Sequence, residues 1–179
     1  KSFPPIKNDD WKRLVKSMLC GHEGELKKGS IHQSSLPDGR KVSKIRPVGD
    51  KRAPVPMQVK KFLLHYYAMT GVDSFFNDPN YDQHSLNWDH LIPDSSFSNA
   101  TEKERTHTSN LANIAALPKG TNLDKSNHPL SSDICKTGST ANAIKKYSQI
   151  DPRVDGEKYN KPSQIEDLII ARGELIISK

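Results

Sequence analysis

The sequence predicts an α+β domain in which a small strand–loop–strand–helix unit is embedded among helices. Three observations predict it. Apolar residues recur at helical spacing around 11–19, 59–67 and 168–176. Two short apolar segments near the middle, 85–92 and 111–117, have the length of strands and are stopped by Pro93 and Pro118. The chain between and around them is rich in Ser, Thr, Asn and Asp, the residues of turns and caps.

The elements follow in order. Asp9 or Asp10 caps a first helix whose face carries Trp11, Leu14, Val15, Met18 and Leu19, and Gly21 ends it. Residues 21–40 read as a loop. Residues 41–48 alternate well enough for a short strand, ended by Pro47 and Gly49. Pro56 starts a second helix with Val59, Phe62, Leu63, Tyr66 and Tyr67, and Gly71 stops it. Asn77, Asp78, Pro79 and Asn80 mark a loop over 72–84. After the 85–92 strand, the polar stretch 94–108 is an excursion. The 111–117 strand ends at Pro118 and Gly120, and Thr121 caps a short helix through Asn122, Asp124, Lys125 and Asn127. Ser139 or Thr140 starts a helix with Ile144, Tyr147 and Ile150. Ser163 and Glu166 form a capping box for the last helix, which carries Leu168, Ile169, Leu175 and Ile176. The predicted organisation is a basic helical and loop region over 1–80, a core over 81–150, and a linker with a packing helix over 151–179.

The 179 residues suit one domain or one with a small appendage. Only 34% are hydrophobic and the mean hydropathy is −0.73, so a small core and much polar loop are expected. No apolar run approaches the roughly 20 residues that cross a bilayer. Cys20 and Cys135 stand alone, which excludes a disulfide scaffold and a CxxC zinc site and favours a cytosolic, cytoplasmic setting. The amino end reads Lys-Ser-Phe-Pro-Pro-Ile, without the pattern of a signal peptide or an initiator Met, as expected of an excised domain or processed chain.

Charge is uneven. The chain carries +6, but residues 1–65 hold 15 basic and 6 acidic side chains while the remainder is net acidic. Lys41, Lys44, Arg46, Lys51 and Arg52 cluster around Pro47 and Gly49. Such a tract is either a solvated surface or a sequence-neutral platform for nucleic-acid phosphates, since no aromatic side chains are interleaved for base stacking.

The segment 85–130 carries the chemistry. Asp89 and His90 are adjacent at the end of the first strand, so their side chains point to opposite faces. Asn113 lies in the second strand, Asn122 opens the following helix, and Lys125 is one turn further on the same face. A carboxylate and an amide oxygen form a partial shell for Mg²⁺, which favours oxygen ligands and keeps several waters. A neutral imidazole nearby can take a proton from water aimed at phosphorus. A metal there would neutralise charge on the phosphate and the leaving oxygen.

The Asp-His-Leu-Ile-Pro run, Asn113 and Asn122-x-x-Lys125 resemble the HNH, or ββα-metal, nuclease superfamily. Asn110-Leu-Ala-Asn-Ile-Ala-Ala-Leu, with Asn122 and Ser126-Asn127-His128-Pro129-Leu130, is most similar to the carboxy-terminal nuclease domain of GmrSD-type modification-dependent restriction proteins. The resemblance covers about a quarter of the chain. It implies an HNH core among helices, with His90 as general base and Asn113 steadying the hairpin loop and the base. It implies Asp89 and Asn122 as ligands of Mg²⁺ or Mn²⁺, and Lys125 with the 41–52 basic tract as phosphate contacts. The implied partner is double-stranded DNA, including modified phage DNA, cut in bacterial anti-phage defence. An amino-terminal nucleotide-hydrolysing domain would precede the nuclease in the full-length protein. His128 is a secondary ligand candidate and His107 a secondary substrate contact; both read more simply as ordinary loop residues. Two rival readings stand beside this one: a DNA-binding or docking module on a degenerate HNH fold, and an HNH nuclease of a toxin or mobile element.

Overall fold

The computed structural model describes residues 8–20, 26–28, 55, 57–70 and 86–178. It is mostly helical with one two-stranded sheet, an α+β arrangement. Helix α1 (Asn8–Cys20) buries Trp11, Val15, Met18 and Leu19 along one stripe. It already starts at Asn8, so Asp9 and Asp10 are not caps but lie in the first turn, where carboxylates favour the positive helix end. Helix α2 (Met57–Thr70) buries Val59, Phe62, Leu63, Tyr66 and Tyr67. Trp11 stacks on Phe62 with ring centroids 4.9 Å apart, which fixes α1 against α2.

Strands β1 (Leu86–His90) and β2 (Ile114–Pro118) are antiparallel, with Asp89 opposite Ala115 and His90 opposite Ile114. Both are shorter than the sequence predicts. Leu91 and Ile92 leave the ladder and turn fully into the core. Residues Leu111–Asn113 form a 3-10 turn rather than strand, because Asn110 caps it by accepting the Ala112 N–H at 2.9 Å. The polar excursion is ordered into a 3-10 helix (Asp94–Asn99) that buries Phe97, and helix α3 (Glu102–Thr106). Thr101 and Glu104 make a reciprocal capping box at the start of α3.

Helix α4 (Lys119–Lys125) follows β2 directly, so Thr121 lies inside it and caps nothing. Helices α5 (Asp133–Lys136), α6 (Gly138–Ser148), α7 (Pro152–Asp155) and α8 (Ile165–Ile177) complete the described chain. The sheet is covered by α6 on β2 and by α4 on both strands, and α8 packs on α1 and on the 111–113 turn. Gly173 permits the close contact of α8 with α1: a Cβ there would lie 2.7 Å from Leu19 Cδ1. One hydrophobic cluster runs from α1 and α2 through β2 to α6 and α8.

Two expectations about the carboxy-terminal part change. The 151–162 stretch, read as linker, contains α7, capped by the Asp151 side chain, and buries Pro152 and Gly156. The box expected from Ser163 and Glu166 is replaced: the Gln164 amide oxygen accepts the Asn160 and Lys161 N–H groups at 3.0 and 3.2 Å, and Glu166 instead pairs with Lys103 at 2.6 Å. The strand expected over 41–48 and the loop over 72–84 lie outside the described residues. No helix among the described residues is long and apolar enough to cross a membrane.

Candidate active site

The site is built where β1 ends. Strand alternation puts Asp89 with Ala115 on one sheet face and His90 with Ile114 on the other. His90 is half-buried, and two side chains anchor the main chain that leaves it.

The first anchor is Lys125, the last residue of α4. Its Nζ lies 2.7 Å from Asp89 Oδ2 and donates to the His90 carbonyl at 2.7 Å. The Lys125 side chain has no exposed surface and that of Asp89 retains 14%. This corrects the reading of Lys125 as a phosphate contact. An ammonium sealed against a carboxylate and a carbonyl cannot reach DNA without leaving both partners, and a buried charge without a partner is costly. The Asn122-x-x-Lys125 spacing does place both residues on one helix, but the lysine turns inward.

The second anchor is Asn113, which is fully buried. Its Oδ1 accepts the Ile92 N–H at 2.8 Å, and its Nδ2 donates to Ile92 O at 3.2 Å and Thr108 O at 2.8 Å. Its own carbonyl accepts the Leu91 N–H at 2.8 Å. The two residues after His90 are therefore held by one asparagine. Asn113 touches main chain rather than solvent, so its place is that of a positioning residue and not of a group that meets substrate.

The turn bearing Asn113 is held in turn from behind. Asn110 Nδ2 donates to Leu19 O at the end of α1 at 3.1 Å. Arg172 of α8, also fully buried, donates to Leu111 O at 3.3 Å, to Ala112 O at 2.9 Å and to Ile114 O. The sequence reading missed Arg172. Its signal was an arginine inside the apolar run Leu168–Ile177, a position where a charge is expensive unless it has work to do. It also missed Thr101-x-x-Glu104, a capping box in plain view. His107, expected on an exposed excursion, is completely buried and so does not face substrate; His128 is exposed.

No family model, curated protein or solved structure matches this chain. The local geometry therefore carries the functional argument alone.

Mg²⁺ and Mn²⁺ suit hard oxygen donors. Asp89 offers Oδ1, since Lys125 occupies Oδ2. Asn122, half-buried on α4, makes no side-chain hydrogen bond among the described residues, so its amide oxygen is open to a ligand. Asp89 lies on β1 and Asn122 on α4, and these two elements pack against each other. Among the described residues, no group of three or more His, Cys, Asp or Glu side chains is arranged to hold a metal. Lys41, Lys44, Arg46, Lys51 and Arg52 lie outside the described residues.

Proposed function

We propose that this chain is a metal-dependent DNA endonuclease of the HNH type, the nuclease part of an anti-phage restriction protein. One observation carries the reading: a strand ending in Asp89-His90, an antiparallel strand preceded by Asn113, and a helix bearing Asn122 follow in ββα order, with the backbone from the His90 carbonyl to Ile92 held by Lys125 and Asn113. Fixing the backbone that leaves a half-exposed histidine favours the orientation that general-base catalysis needs. His90 takes a proton from the attacking water onto a ring nitrogen. Lys125 and Asn113 both hold the peptide unit that joins His90 to Leu91, and Asn113 also holds the next one through the Ile92 N–H. Asp89 and Asn122 would hold a divalent cation, which supplies neutralisation of charge on the phosphate. The basic tract over 41–52 would contribute sequence-neutral affinity for double-stranded DNA.

A second reading is favoured by one observation. The Asp89 carboxylate already faces a buried ammonium at 2.7 Å. That pair suits a DNA-docking module in which the metal has been lost. Plasmid cleavage separates the two. The purified chain should nick or cut plasmid with Mg²⁺ or Mn²⁺ and stop when the metal is chelated. His90→Ala should slow the cut by about 10²- to 10⁴-fold while DNA binding persists. Cleavage by His90→Ala at the wild-type rate would remove His90 as base, and binding without any cleavage would favour the docking module.

A further inference from the structure

We infer that Arg172, on the carboxy-terminal helix, is a positioning residue for this site: by gripping the main chain on both sides of Asn113, it sets the turn through which Asn113 holds the backbone behind His90. The inference rests on the nuclease reading for its catalytic consequence and on geometry alone for the coupling.

The geometry is a relay of direct contacts. Arg172 Nη1 donates to the carbonyls of Leu111, Ala112 and Ile114, which bracket Asn113. The peptide plane before Asn113 and the one after Ile114 are thereby fixed, while the Asn113 carbonyl between them accepts the Leu91 N–H, and together these set the direction of the Asn113 side chain. That side chain then takes both the N–H and the carbonyl of Ile92, two residues after His90. The Tyr67 hydroxyl, which donates to Tyr147 O at 2.8 Å, adds a hydrogen bond with the guanidinium.

Packing does not account for Arg172. It is among the largest fully buried side chains and has no carboxylate partner among the described residues. A Leu or Met would fill the space without the desolvation cost of a guanidinium. What an apolar side chain lacks is a donor for three carbonyls that turn away from the ladder. All three bonds come from Nη1, whose two N–H groups lie in the rigid guanidinium plane, so one is shared; the same guanidinium also meets the Tyr67 hydroxyl, whereas an ammonium is a point donor on a flexible stem. The segment so held is the one that carries Asn113.

Hydrogen exchange tests the relay directly, because the Leu91 and Ile92 amides donate to Asn113. In the purified chain carrying Arg172→Lys, well below its unfolding transition, the Ile92 amide should exchange at least about tenfold faster. Amides in α6, on the far side of β2, should keep their wild-type rates. Asn113→Ala should give the same pattern, and the double variant should add little to either single one. Plasmid cleavage by Arg172→Lys should lose about tenfold or more in kcat with KM for DNA nearly unchanged, as expected of a misplaced base rather than lost binding. A wild-type exchange rate at Ile92 in folded Arg172→Lys overturns the inference. So does faster exchange with wild-type kcat. If the wild-type chain cuts no DNA under any metal, the nuclease reading fails while the exchange arm still decides the coupling. Should Arg172→Lys not fold, native-state exchange of the wild type in rising urea replaces it. There Ile92 should open together with the amides around Arg172 in α8, and separate openings would overturn the relay.

Discussion

Lys125 and Arg172 both bury their charge, yet one is answered by a carboxylate and the other by main-chain carbonyls. Lys125 meets Asp89 Oδ2 and the His90 carbonyl, each at 2.7 Å. Arg172 meets Leu111, Ala112 and Ile114 through oxygen atoms that carry only partial charge. The lysine is a point charge at the edge of the site, with a partner that still touches water. The arginine sits at the back of the same hairpin, and its charge is spread over a cradle of dipoles. An ion pair of the first kind can exchange its cation for another. A cradle of the second kind cannot, because three acceptors have been shaped around one planar donor. At one end of the hairpin, the last residues of β1 thus carry a replaceable contact and the turn that leads into β2 a fixed one.

The largest expected effect is on stability. Arg172→Met strips a charged donor from three buried carbonyls, of which Leu111 O keeps the Ile114 N–H, and should cost about 3–5 kcal/mol, because the others lose that donor at their full desolvation penalty. Lys125→Met should cost less, about 1–3 kcal/mol, because the 14%-exposed Asp89 side chain can regain water. Adding Asp89→Asn to Lys125→Met should recover at least about 1 kcal/mol, the sign of a local pair. Arg172 has no acidic neighbour among the described residues whose replacement would rescue it. Urea unfolding of the three variants measures this, and equal losses in Arg172→Met and Lys125→Met with no recovery in the double variant would erase the distinction.

The next effect concerns metal. If Asp89 is a ligand, the ammonium beside it competes with a divalent cation for the same carboxylate. A unit charge about 4 Å away is worth several kcal/mol even at an effective dielectric constant near 20. Lys125→Met should therefore bind Mn²⁺ at least about tenfold more tightly by titration calorimetry. Arg172→Met, measured where it is folded, should leave the affinity unchanged. Unaltered affinity in Lys125→Met would mean that the cation and the carboxylate do not share a metal site.

Periodicity made the helices legible. Trp11, Val15, Met18 and Leu19, and Phe62, Leu63, Tyr66 and Tyr67, all face the core as their spacing requires. The strand pair was legible from Pro93 and Pro118, which stop apolar runs. What escaped was decided by contacts between distant parts of the chain. Residues 91–92 and 111–113 look like strand because they are apolar, but Asn113 and Asn110 draw their backbone groups into a turn. Lys125 looked like surface because lysines mostly are, and only the fold shows that Asp89 lies within its reach. Arg172 could be flagged as a charge in an apolar helix, but its partners lie about sixty residues away and no local rule names them.

The smallest effect sharpens the comparison from the side of Tyr67, the fully buried neighbour of Arg172. Burial pushes its phenol above the ordinary tyrosine value of 10.0, and the nearby Arg172 charge opposes the shift only in part. The folded chain therefore keeps a proton that the unfolded chain loses as pH rises past about 10. Stability from this group is whole below that pH and falls as pH climbs through the window up to the folded value. The slope is at most about 1.4 kcal/mol per pH unit for one proton. Tyr66 is raised by burial too and adds loss in the same direction. Arg172 is shifted the other way, since burial lowers its affinity for the proton, so its own contribution rises with pH. Comparing wild type with Tyr67→Phe removes one phenol and leaves the other groups in place. At neutral pH the variant should be weaker by about 1 kcal/mol, the loss of a buried hydrogen bond to Tyr147 O. Between about pH 9 and 11 the gap should narrow, because only the wild type has a Tyr67 phenol to ionise on unfolding. Urea unfolding across that range reads the gap directly. A constant difference would show that Tyr67 keeps its ordinary acidity in the fold, and that the cradle around Arg172 is wetter than its burial indicates.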